Sequence, residues 1–538
     1  MLRNLFKKRI NSITVAAGLV AMSSLASRLL GVFRDRILAG EFGAGVTLDI
    51  YYAAFRIPDL VFNLVVLGAL SAGFIPIFTS LMKDEKDENQ AAWGLANNIL
   101  NYLFIGISVL SLLGIIFAPL LMKMIAPGFD LEDRMMATNL SRIMFLSPFF
   151  LGISGILGGI LQSFKRFFVY SLSPILYNLG IIIGALYFTD KWGVYGLAWG
   201  VVIGAALHMA IQIPTVYQLG FRYSFKIIRH DKATAKIGRL MIPRTLSLAV
   251  GQINLVVITA IATGLSSGSL AIFNFANNLQ SFPIGIFGVS FAIAAFPTLS
   301  ATAFNNEAFE KNFSRTLRQI LFFIVPATVF IIALRAQIIR VVLGTGNFDW
   351  EDTVLTMNTL GFFALSLFAQ ASIPLLTRMF YARQDSATPF YIGLVTVGIN
   401  VGLAIFLAPS LGVSGLALAF SLANIINFIL LWLWLSSKVG SLDIANIVNS
   451  VLKFTASAVM AGATVQIVKV AVWPFIDMSK FSGVFIQLAA SLGLGGAVYL
   501  GVCYLLKSEE LEGFISALKH RWPFKKLKVE DQGEARGL

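Results

Sequence analysis

Seven charged side chains lie in the two largely apolar runs within residues 28–59, and an eighth, Glu41, lies in the loop between the runs. The seven are four arginines and three aspartates: Arg28, Arg34, Asp35, Arg36, Asp49, Arg56 and Asp59. The set carries one net positive charge. Arginine suits a phosphate group because its planar guanidinium makes two parallel hydrogen bonds and stays charged when desolvated. The chemistry that these residue types indicate is the binding of an anion.

The spacing of these residues predicts two polar stripes on consecutive helices. The stripe on the first helix contains Ser24, Arg28, Gly31 and Asp35, with Arg34 about 100° round the helix from Asp35. The stripe on the second helix contains Asp49, Tyr52, Arg56, Asp59 and Asn63. At 1.5 Å per residue, Arg28 and Arg56 lie at a similar depth, roughly 12–15 Å from one membrane surface. The two stripes are therefore placed to face one cavity.

Two interpretations of these stripes stay open. In the first, Arg28 with Asp59, and Asp35 with Arg56, are structural ion pairs that hold the two helices together. In the second, some of the arginines bind an anionic substrate, since ionisable residues inside a membrane are functional candidates. Both interpretations can hold at once.

The composition shows which solvent these helices need. Of the 538 residues, 57% are apolar and 13% are charged, and the mean hydropathy is +0.80. A soluble protein carries about 25% charged residues. The chain has too little charge to cover a soluble surface, so we expect an all-α, polytopic integral membrane protein.

Apolar runs of about 20 residues predict fourteen transmembrane helices with short connections. The N-terminal run follows basic residues like a signal peptide, but it carries arginines and lacks a small-residue cleavage site, so we expect an uncleaved first span. The lysines and arginines concentrate in alternate loops, which predicts that both termini are cytoplasmic. The basic C-terminal stretch at 514–529 is expected to lie on the inner leaflet, with a partner-docking helix as the alternative.

An internal repeat divides the chain into two lobes. GVYGLAWGVV at 193–202 resembles GVSGLALAFS at 412–421, an offset of 219, and Pro76 and Pro297 are offset by 221. Six helices in each repeat give two parallel lobes in a pseudo-two-fold arrangement, with a substrate path between them. The predicted divisions are 1–226 for the first lobe, 227–440 for the second, 441–508 for two extra helices and 509–538 for the cytoplasmic tail.

The second predicted lobe offers amides rather than charges. Its candidate binding residues are Arg244, Asn254, Asn277 and Asn278, although interhelical hydrogen bonding is an equally good explanation for the amides. Candidate hinge or kink positions in the two lobes are Gly31, Pro58, Pro76, Pro283 and Pro297.

Several functional classes are excluded or disfavoured. One cysteine, Cys503, and three scattered histidines provide no disulfide and no motif for a metal or cofactor, so we expect neither. The net charge of +14 follows from basic residues at helix ends, which argues against nucleic-acid binding. A membrane enzyme, such as a polyprenyl-dependent glycosyltransferase, would need carboxylates in a surface loop domain, and the connections are too short for one.

Several segments resemble the MurJ/MviN family of lipid II flippases. They are SRLLGVFRD at 27–35, FGAG at 42–45, FRIP at 55–58, SPILYNLGIIIG at 173–184 and FPIGIFGVSFAIAAFPTLS at 282–300. The resemblance covers roughly residues 10–440. It implies an exporter-superfamily fold, a non-enzymatic flippase that moves undecaprenyl-pyrophosphate-linked precursor between leaflets by alternating access, and a bacterial inner-membrane location.

The resemblance also assigns roles to residues. It implies that Arg28, Arg34, Asp35 and Asp49 match the family's cavity arginines and aspartates, and that the last two helices form a groove for the lipid tail. The expected partners are the lipid substrate and membrane lipids, with the cell-wall synthesis machinery as a further candidate, and we expect a monomer.

The chain departs from the family pattern in the second lobe. A cavity arginine that the family places on helix 8 aligns with Asn278, and we hypothesise that Arg244 and the Asn277/Asn278 pair take over part of its role. The alternative function is an exporter of another polyprenyl-linked glycan, or a multidrug antiporter of the same superfamily. An arginine-rich cavity disfavours the antiporter, which would need acidic and aromatic walls.

Overall fold

The computed structural model describes residues 13–67, 73–82 and 89–521, and all regular structure within them is helical. The helices up to residue 218 are α1 Ile13–Phe42, α2 Val46–Phe62, α3 Ile75–Leu81, α4 Gln90–Ile125, α5 Leu131–Met144, α6 Leu146–Ser163, α7 Phe167–Ile183, α8 Thr189–Trp192, α9 Tyr195–Ala210 and α10 Ile213–Gln218. The later helices are α11 Lys232–Ala262, α12 Ser269–Pro283, α13 Ser290–Thr302, α14 Asn306–Val342, α15 Trp350–Ala364, α16 Leu367–Ala382, α17 Ala387–Leu411, α18 Val413–Val439, α19 Ile444–Val472, α20 Phe481–Leu505 and α21 Glu509–Arg521.

Many of these helices have the length and composition of membrane spans. Ten qualify among the described residues, or eleven when the bent pair α15 and α16 forms one span. Three further long segments contain α1, α2 and α11. The first two carry the charges of the candidate site, and α11 carries those of a basic helix end. The prediction of an all-α, multi-pass membrane protein is confirmed. The count of fourteen spans is consistent with these helices.

The sequence repeat has counterparts in the backbone. Gly193 and Gly412 occupy corresponding positions of the repeat, and both have positive φ, at 55° and 59°. π-helical turns cover Asn63–Leu67 and Ile284–Val289, and their starts are offset by 221 residues. Pro58 precedes the first turn by five residues, and Pro283 directly precedes the second. The two halves therefore share local backbone geometry as well as sequence.

The chain forms two compact units that cut across several helices. The first contains the residues up to Phe282 together with Arg335–Gln370 and Gln384–Trp432. The second contains Pro283–Leu334, Ala371–Arg383 and the residues from Leu433 onward. The predicted lobe divisions at 226/227 and 440/441 stay predictions.

An aromatic cluster forms part of the core of the first unit. The indole of Trp93 at the start of α4 stacks on Phe164, with ring centroids 5.5 Å apart, and also contacts Phe78 and Phe221. Buried Phe74 stacks on Phe78 from the other side. These contacts tie α3, α4 and α6 together at one end of the unit.

The second unit packs α14 against α19 and α20. Phe322 contacts the rings of Phe454 and Tyr499, and the Tyr499 hydroxyl donates to the Phe322 carbonyl at 2.7 Å. Arg318 joins α21 to this unit through an ion pair with Glu510 at 2.8 Å. The predicted basic tail thus begins with a docked helix, while residues 522–538 lie outside the described residues.

Glycines bring α7 and α9 into close contact. A Cβ atom added at Gly180 would lie 2.2 Å from the Cα of Gly204, and one at Gly184 would lie 2.5 Å from the Cα of Gly200. Small residues at four-residue spacing allow membrane helices to approach in this way. This contact fixes the position of α7, which lines the cavity described below.

We predict that Gly200→Ala destabilises the first unit. The new Cβ would lie 2.7 Å from the Cα of Gly184, and overpacking of this kind costs about 1–3 kcal/mol. Thermal unfolding of the detergent-purified protein measures the loss. The matched control is Gly106→Ala on α4, where a Cβ meets nothing within 4 Å. Equal stability of the two variants would contradict the prediction.

Candidate functional site

A cavity of about 260 Å³ lies within the first unit, among α1, α2, α6, α7 and α12. Its charged lining side chains are Arg34, Arg56 and Asp59. The remaining lining residues are Leu38, Tyr51, Tyr52, Phe55, Pro58, Phe62, Ser147, Leu151, Tyr177, Ile181, Asn274 and Asn278. The lining is thus largely apolar and aromatic, with one net positive charge.

Arg34 lies in a network that joins three helices. Its Nε and Nη2 atoms donate to one carboxylate oxygen of Asp35 at 3.0 and 2.7 Å, and its Nη1 donates to Asn178 on α7 at 3.1 Å. The other oxygen of Asp35 accepts from Asn278 on α12 at 2.8 Å. Asp35 is 4% exposed, so its charge depends on these partners. The network holds the Arg34 guanidinium in place at the cavity wall.

Arg56 contacts neutral partners. Its Nε donates to the Thr259 hydroxyl at 2.9 Å, and its Nη2 donates to the Asn274 side-chain oxygen at 3.3 Å. The neighbouring Asp59 accepts from Asn63 at 2.9 Å. The hydrogen bonds of Arg56 therefore position its charge without neutralising it.

Asp49 caps the N-terminus of α12. Its two carboxylate oxygens accept from the backbone N–H groups of Gly268 and Ala271 at 2.7 and 2.8 Å. Asp49 is 4% exposed. A carboxylate at a helix N-terminus satisfies unpaired N–H groups and interacts favourably with the helix dipole. This contact joins α2 of the first predicted lobe to α12 of the second.

The loops at the same end of the bundle are closely packed. The Asn347 N–H donates to the Gly40 carbonyl at 2.8 Å, and the Ala44 N–H donates to Asp352 at 2.9 Å. A Cβ at Gly268, whose φ is +85°, would lie 1.7 Å from the Ala44 carbonyl oxygen. Only glycine fits that position, so this end of the first unit is closed.

The structure brings together some of the predicted site residues and separates others. Arg34, Arg56, Asp59 and Asn278 line the cavity, with Asp35 and Asn63 directly behind them. Arg28 is exposed on α1, and the side chain of Arg244 lies outside the described residues. Arg36 donates to the Val341 carbonyl at the closed end.

The predicted ion pairs between α1 and α2 are wrong. Asp35 pairs with Arg34 rather than Arg56, and Asp59 bonds to Asn63 rather than Arg28. The reason is rotational: Arg34 and Leu38, one turn apart, form the cavity face of α1, while Asp35 turns toward α12.

The predicted site amides of the second predicted lobe do not all lie at the cavity. Asn254 accepts from Asn400 at 2.7 Å, which links α11 to α17. Asn277 accepts from Gln280, and Gln280 in turn accepts from Gln370. Of the predicted Asn277/Asn278 pair, only Asn278 lines the cavity. Interhelical bonding explains Asn254, whereas Asn277 bonds within α12 to Gln280, and Gln280 makes the link to α16.

Sequence reasoning missed the contribution of α7 and the importance of the tyrosines. Tyr177 lines the cavity, and Asn178 holds Arg34. The Tyr52 hydroxyl is buried without a hydrogen-bond partner among the residues that the structure describes. The available signals were the segment SPILYNLGIIIG at 173–184, which contains Tyr177 and Asn178, and the position of Tyr52 on the predicted stripe.

The fold and the cavity define a polytopic membrane transporter with a cavity lined by two arginines. A family model described as "Lipid II flippase MurJ" matches residues 38–486. The chain belongs to this family of lipid II flippases.

Individual relatives agree with the family assignment. A probable lipid II flippase MurJ of Rhizobium tropici is 30% identical over 462 residues, covering 83% of this chain and 86% of the relative. Its counterpart in Buchnera aphidicola subsp. Schizaphis graminum is 29% identical over 496 residues, covering 90% and 95%.

Solved structures show the same fold. A lipid II flippase MurJ in an inward closed conformation superposes with a TM-score of 0.74 at 25% identity, covering 92% of this chain and 99% of that chain. An inward-facing MATE-family multidrug resistance transporter superposes with a TM-score of 0.64 at 16% identity, covering 77% and 95%. The second similarity concerns the fold alone.

Proposed function

We propose that this protein carries lipid II from the inner to the outer leaflet of the bacterial cytoplasmic membrane by alternating access. The observation that carries the proposal is the position of Arg34 and Arg56, whose guanidinium groups line one cavity. An unpaired phosphate in a low-dielectric interior is prohibitively unstable. Fixed arginines offset that cost, and the transport needs no covalent chemistry.

The size of the cavity indicates which part of the substrate it receives. Its volume of about 260 Å³ lies slightly below the range of ~300–1,000 Å³ typical of small-molecule sites. A pyrophosphate fits such a space better than a whole sugar-peptide headgroup. We infer that the pyrophosphate contacts Arg34 and Arg56, and that the sugars occupy space that opens when the lobes move.

The closed end is assigned to the outer surface. The lysine and arginine distribution supports a cytoplasmic location for both termini, because cytoplasmic loops carry the excess of basic residues. The loops around Gly43, Gly268 and Asn347 then face outward, and Asp49 belongs to an outer gate that opens when the substrate is released. Two lobes related by a parallel repeat can rock about such a gate.

The lipid tail is expected to follow the outer surface of the second unit. Helices α19 and α20 present exposed apolar side chains, among them Ile467, Val470 and Leu494. An alkyl chain gains about 0.8 kcal/mol for each CH₂ group removed from water, so the tail stays in lipid or against these helices while the head crosses.

Depletion of the protein in its host tests the proposed function. We expect the lipid-linked precursor to become inaccessible to a probe added outside the membrane, and accessibility to return on complementation. A strain that lacks its own lipid II flippase should likewise be rescued. Normal outer accessibility after depletion would overturn the proposal, as would failed rescue despite normal expression.

We predict that Tyr52→Phe slows transport without loss of stability. The hydroxyl has no partner among the described residues, and a hydrogen bond to a charged group contributes about 1.5–3 kcal/mol. Loss of a hydrogen bond between the Tyr52 hydroxyl and a bound phosphate should therefore reduce the transport rate about tenfold or more. The measurement is the rate of precursor appearance outside.

The matched control is Tyr499→Phe, which removes a hydroxyl that donates to the Phe322 carbonyl. This variant should lose thermal stability, because it leaves a buried acceptor unsatisfied. If Tyr52→Phe behaves in the same way and transports at the normal rate, the Tyr52 hydroxyl has only a structural role.

A further inference from the structure

Three asparagines hold the segment that joins α10 to α11. We call residues 221–231 the linker strap. Asn97, Asn98 and Asn101 on α4 make six hydrogen bonds to its backbone, and the strap residues bonded are Arg222, Ser224, Lys226 and Ile228. From Arg222 to Ile228 every second residue of the strap is thus hydrogen-bonded through its backbone, in the pattern that a β-strand forms with its neighbour. The strap is an ordered surface element.

The length of α4 places the strap at the level of the lipid headgroups. The helix has 36 residues, whereas about 20 residues cross the hydrocarbon core. The stretch from Leu103 to Ile125 is almost wholly apolar and is already long enough to span. Asn97, Asn98 and Asn101 therefore lie just beyond the hydrocarbon, and the strap lies beside them.

The strap exposes aromatic and basic side chains together. Tyr223 is 53% exposed and Phe225 is 64% exposed. Lys226 and Arg229, and Lys232 at the start of α11, are also exposed, and their side chains make no hydrogen bond or ion pair with the described residues. Aromatic side chains beside cations are typical of segments at a membrane interface.

Asp231, the acidic residue of the strap, is already hydrogen-bonded. Asp231 caps α11 by accepting from the Ala233 and Thr234 N–H groups and from the Thr234 hydroxyl. Burial opposes its charged form, but these hydrogen bonds outweigh burial and hold the pKa of Asp231 below its usual value. The carboxylate therefore stays charged and bound to α11, and the cations of the strap remain available.

We propose that the linker strap is a binding surface for anionic phospholipid headgroups. Tyr223 and Phe225 would rest at the interface, while Lys226 and Arg229 would contact the phosphates. The aromatic pair favours a lipid over a soluble polyanion, because exposed rings gain little from an acidic peptide. Since the strap is fixed to α4 and leads directly into α11, a bound lipid also restrains the position at which α11 begins.

Native mass spectrometry of the full-length protein, titrated with phosphatidylglycerol in detergent, tests this proposal. Each basic residue near an anionic surface contributes about fivefold in affinity. Lys226→Gln/Arg229→Gln should therefore weaken the tightest phosphatidylglycerol site roughly 25-fold. Tyr223→Ser/Phe225→Ser should weaken it as well, and phosphatidylcholine should show no such site.

The matched control is Lys311→Gln/Arg315→Gln, which removes one exposed lysine and one exposed arginine from α14. Phosphatidylglycerol affinity should stay within about twofold of the unmodified protein. Equal losses in both double variants would mean that binding follows total charge and would overturn the proposal. Polyglutamate added at the same total charge as the lipid is a competitor. If it displaced the lipid completely, the surface would be assigned to an acidic protein segment instead.

Discussion

Arg34→Ala is expected to abolish transport. The substitution removes the guanidinium that lines the cavity and leaves the Asp35 carboxylate, only 4% exposed, without its ionic partner. An uncompensated buried charge costs about 3–5 kcal/mol. The loss of a charged hydrogen bond to each of two phosphate oxygens should slow transport by roughly 100-fold or more. Outer accessibility of the precursor and thermal unfolding are the two measurements.

A double variant separates stability from function in that prediction. Arg34→Ala/Asp35→Asn removes both charges, so much of the lost stability should return while transport stays absent. Arg34→Lys should retain partial activity, because an ammonium keeps the charge but lacks the planar fork that reaches Asp35 and Asn178 together. Arg142→Ala, at an exposed position of α5, should be neutral. Recovery of transport in the double variant would exclude Arg34 from substrate binding.

Asp49→Ala is expected to open the closed end of the first unit. The carboxylate accepts two backbone N–H groups at the start of α12, and hydrogen bonds to charged groups contribute about 1.5–3 kcal/mol each. Losing them should raise the population of the open state at least tenfold. Ser269→Cys, at a position 1% exposed, provides a reporter for a membrane-impermeant maleimide. The native Cys503 is buried and contributes little background.

Independent variants check the assignment of Asp49 to a gate. Gly268→Ala should raise labelling in the same way, because its Cβ would collide with the Ala44 carbonyl. Glu132→Gln removes an exposed carboxylate and should leave labelling unchanged. Unaltered labelling in both Asp49→Ala and Gly268→Ala would show that these contacts do not govern closure.

Much of the fold follows from pattern alone. Apolar runs long enough to cross a bilayer, basic residues in alternate loops and the repeat offset of about 220 residues are properties of local sequence. They predict the all-α architecture. Ten of the described helical segments have the length and apolar composition of membrane spans. Prolines indicate where some spans can kink, but the sequence does not predict that π-helical turns follow Pro58 and Pro283, because such turns have no simple composition signal.

The site was less predictable, because its geometry depends on helix rotation. The two stripes lie on helices that line the cavity, and Arg34, Arg56 and Asp59 are among its lining residues. However, whether Arg34 or Arg28 faces the cavity depends on the rotation of α1 against α7 and α12, and periodicity on α1 gives no information about its neighbours. The bond from Arg34 to Asn178 spans 144 residues of sequence. Such partners become visible only when the packing is known.

The π-helical turns have a consequence for where helices can bend. A π turn disturbs the hydrogen-bond ladder of a helix and is found frequently at functional sites. Such turns occur at Asn63–Leu67 and Ile284–Val289, and a third, at Gly184–Phe188, directly precedes α8. Sharp kinks form at prolines and π turns, and the first two turns each follow a proline, Pro58 or Pro283. These two positions are therefore where a long helix can change its angle without unfolding.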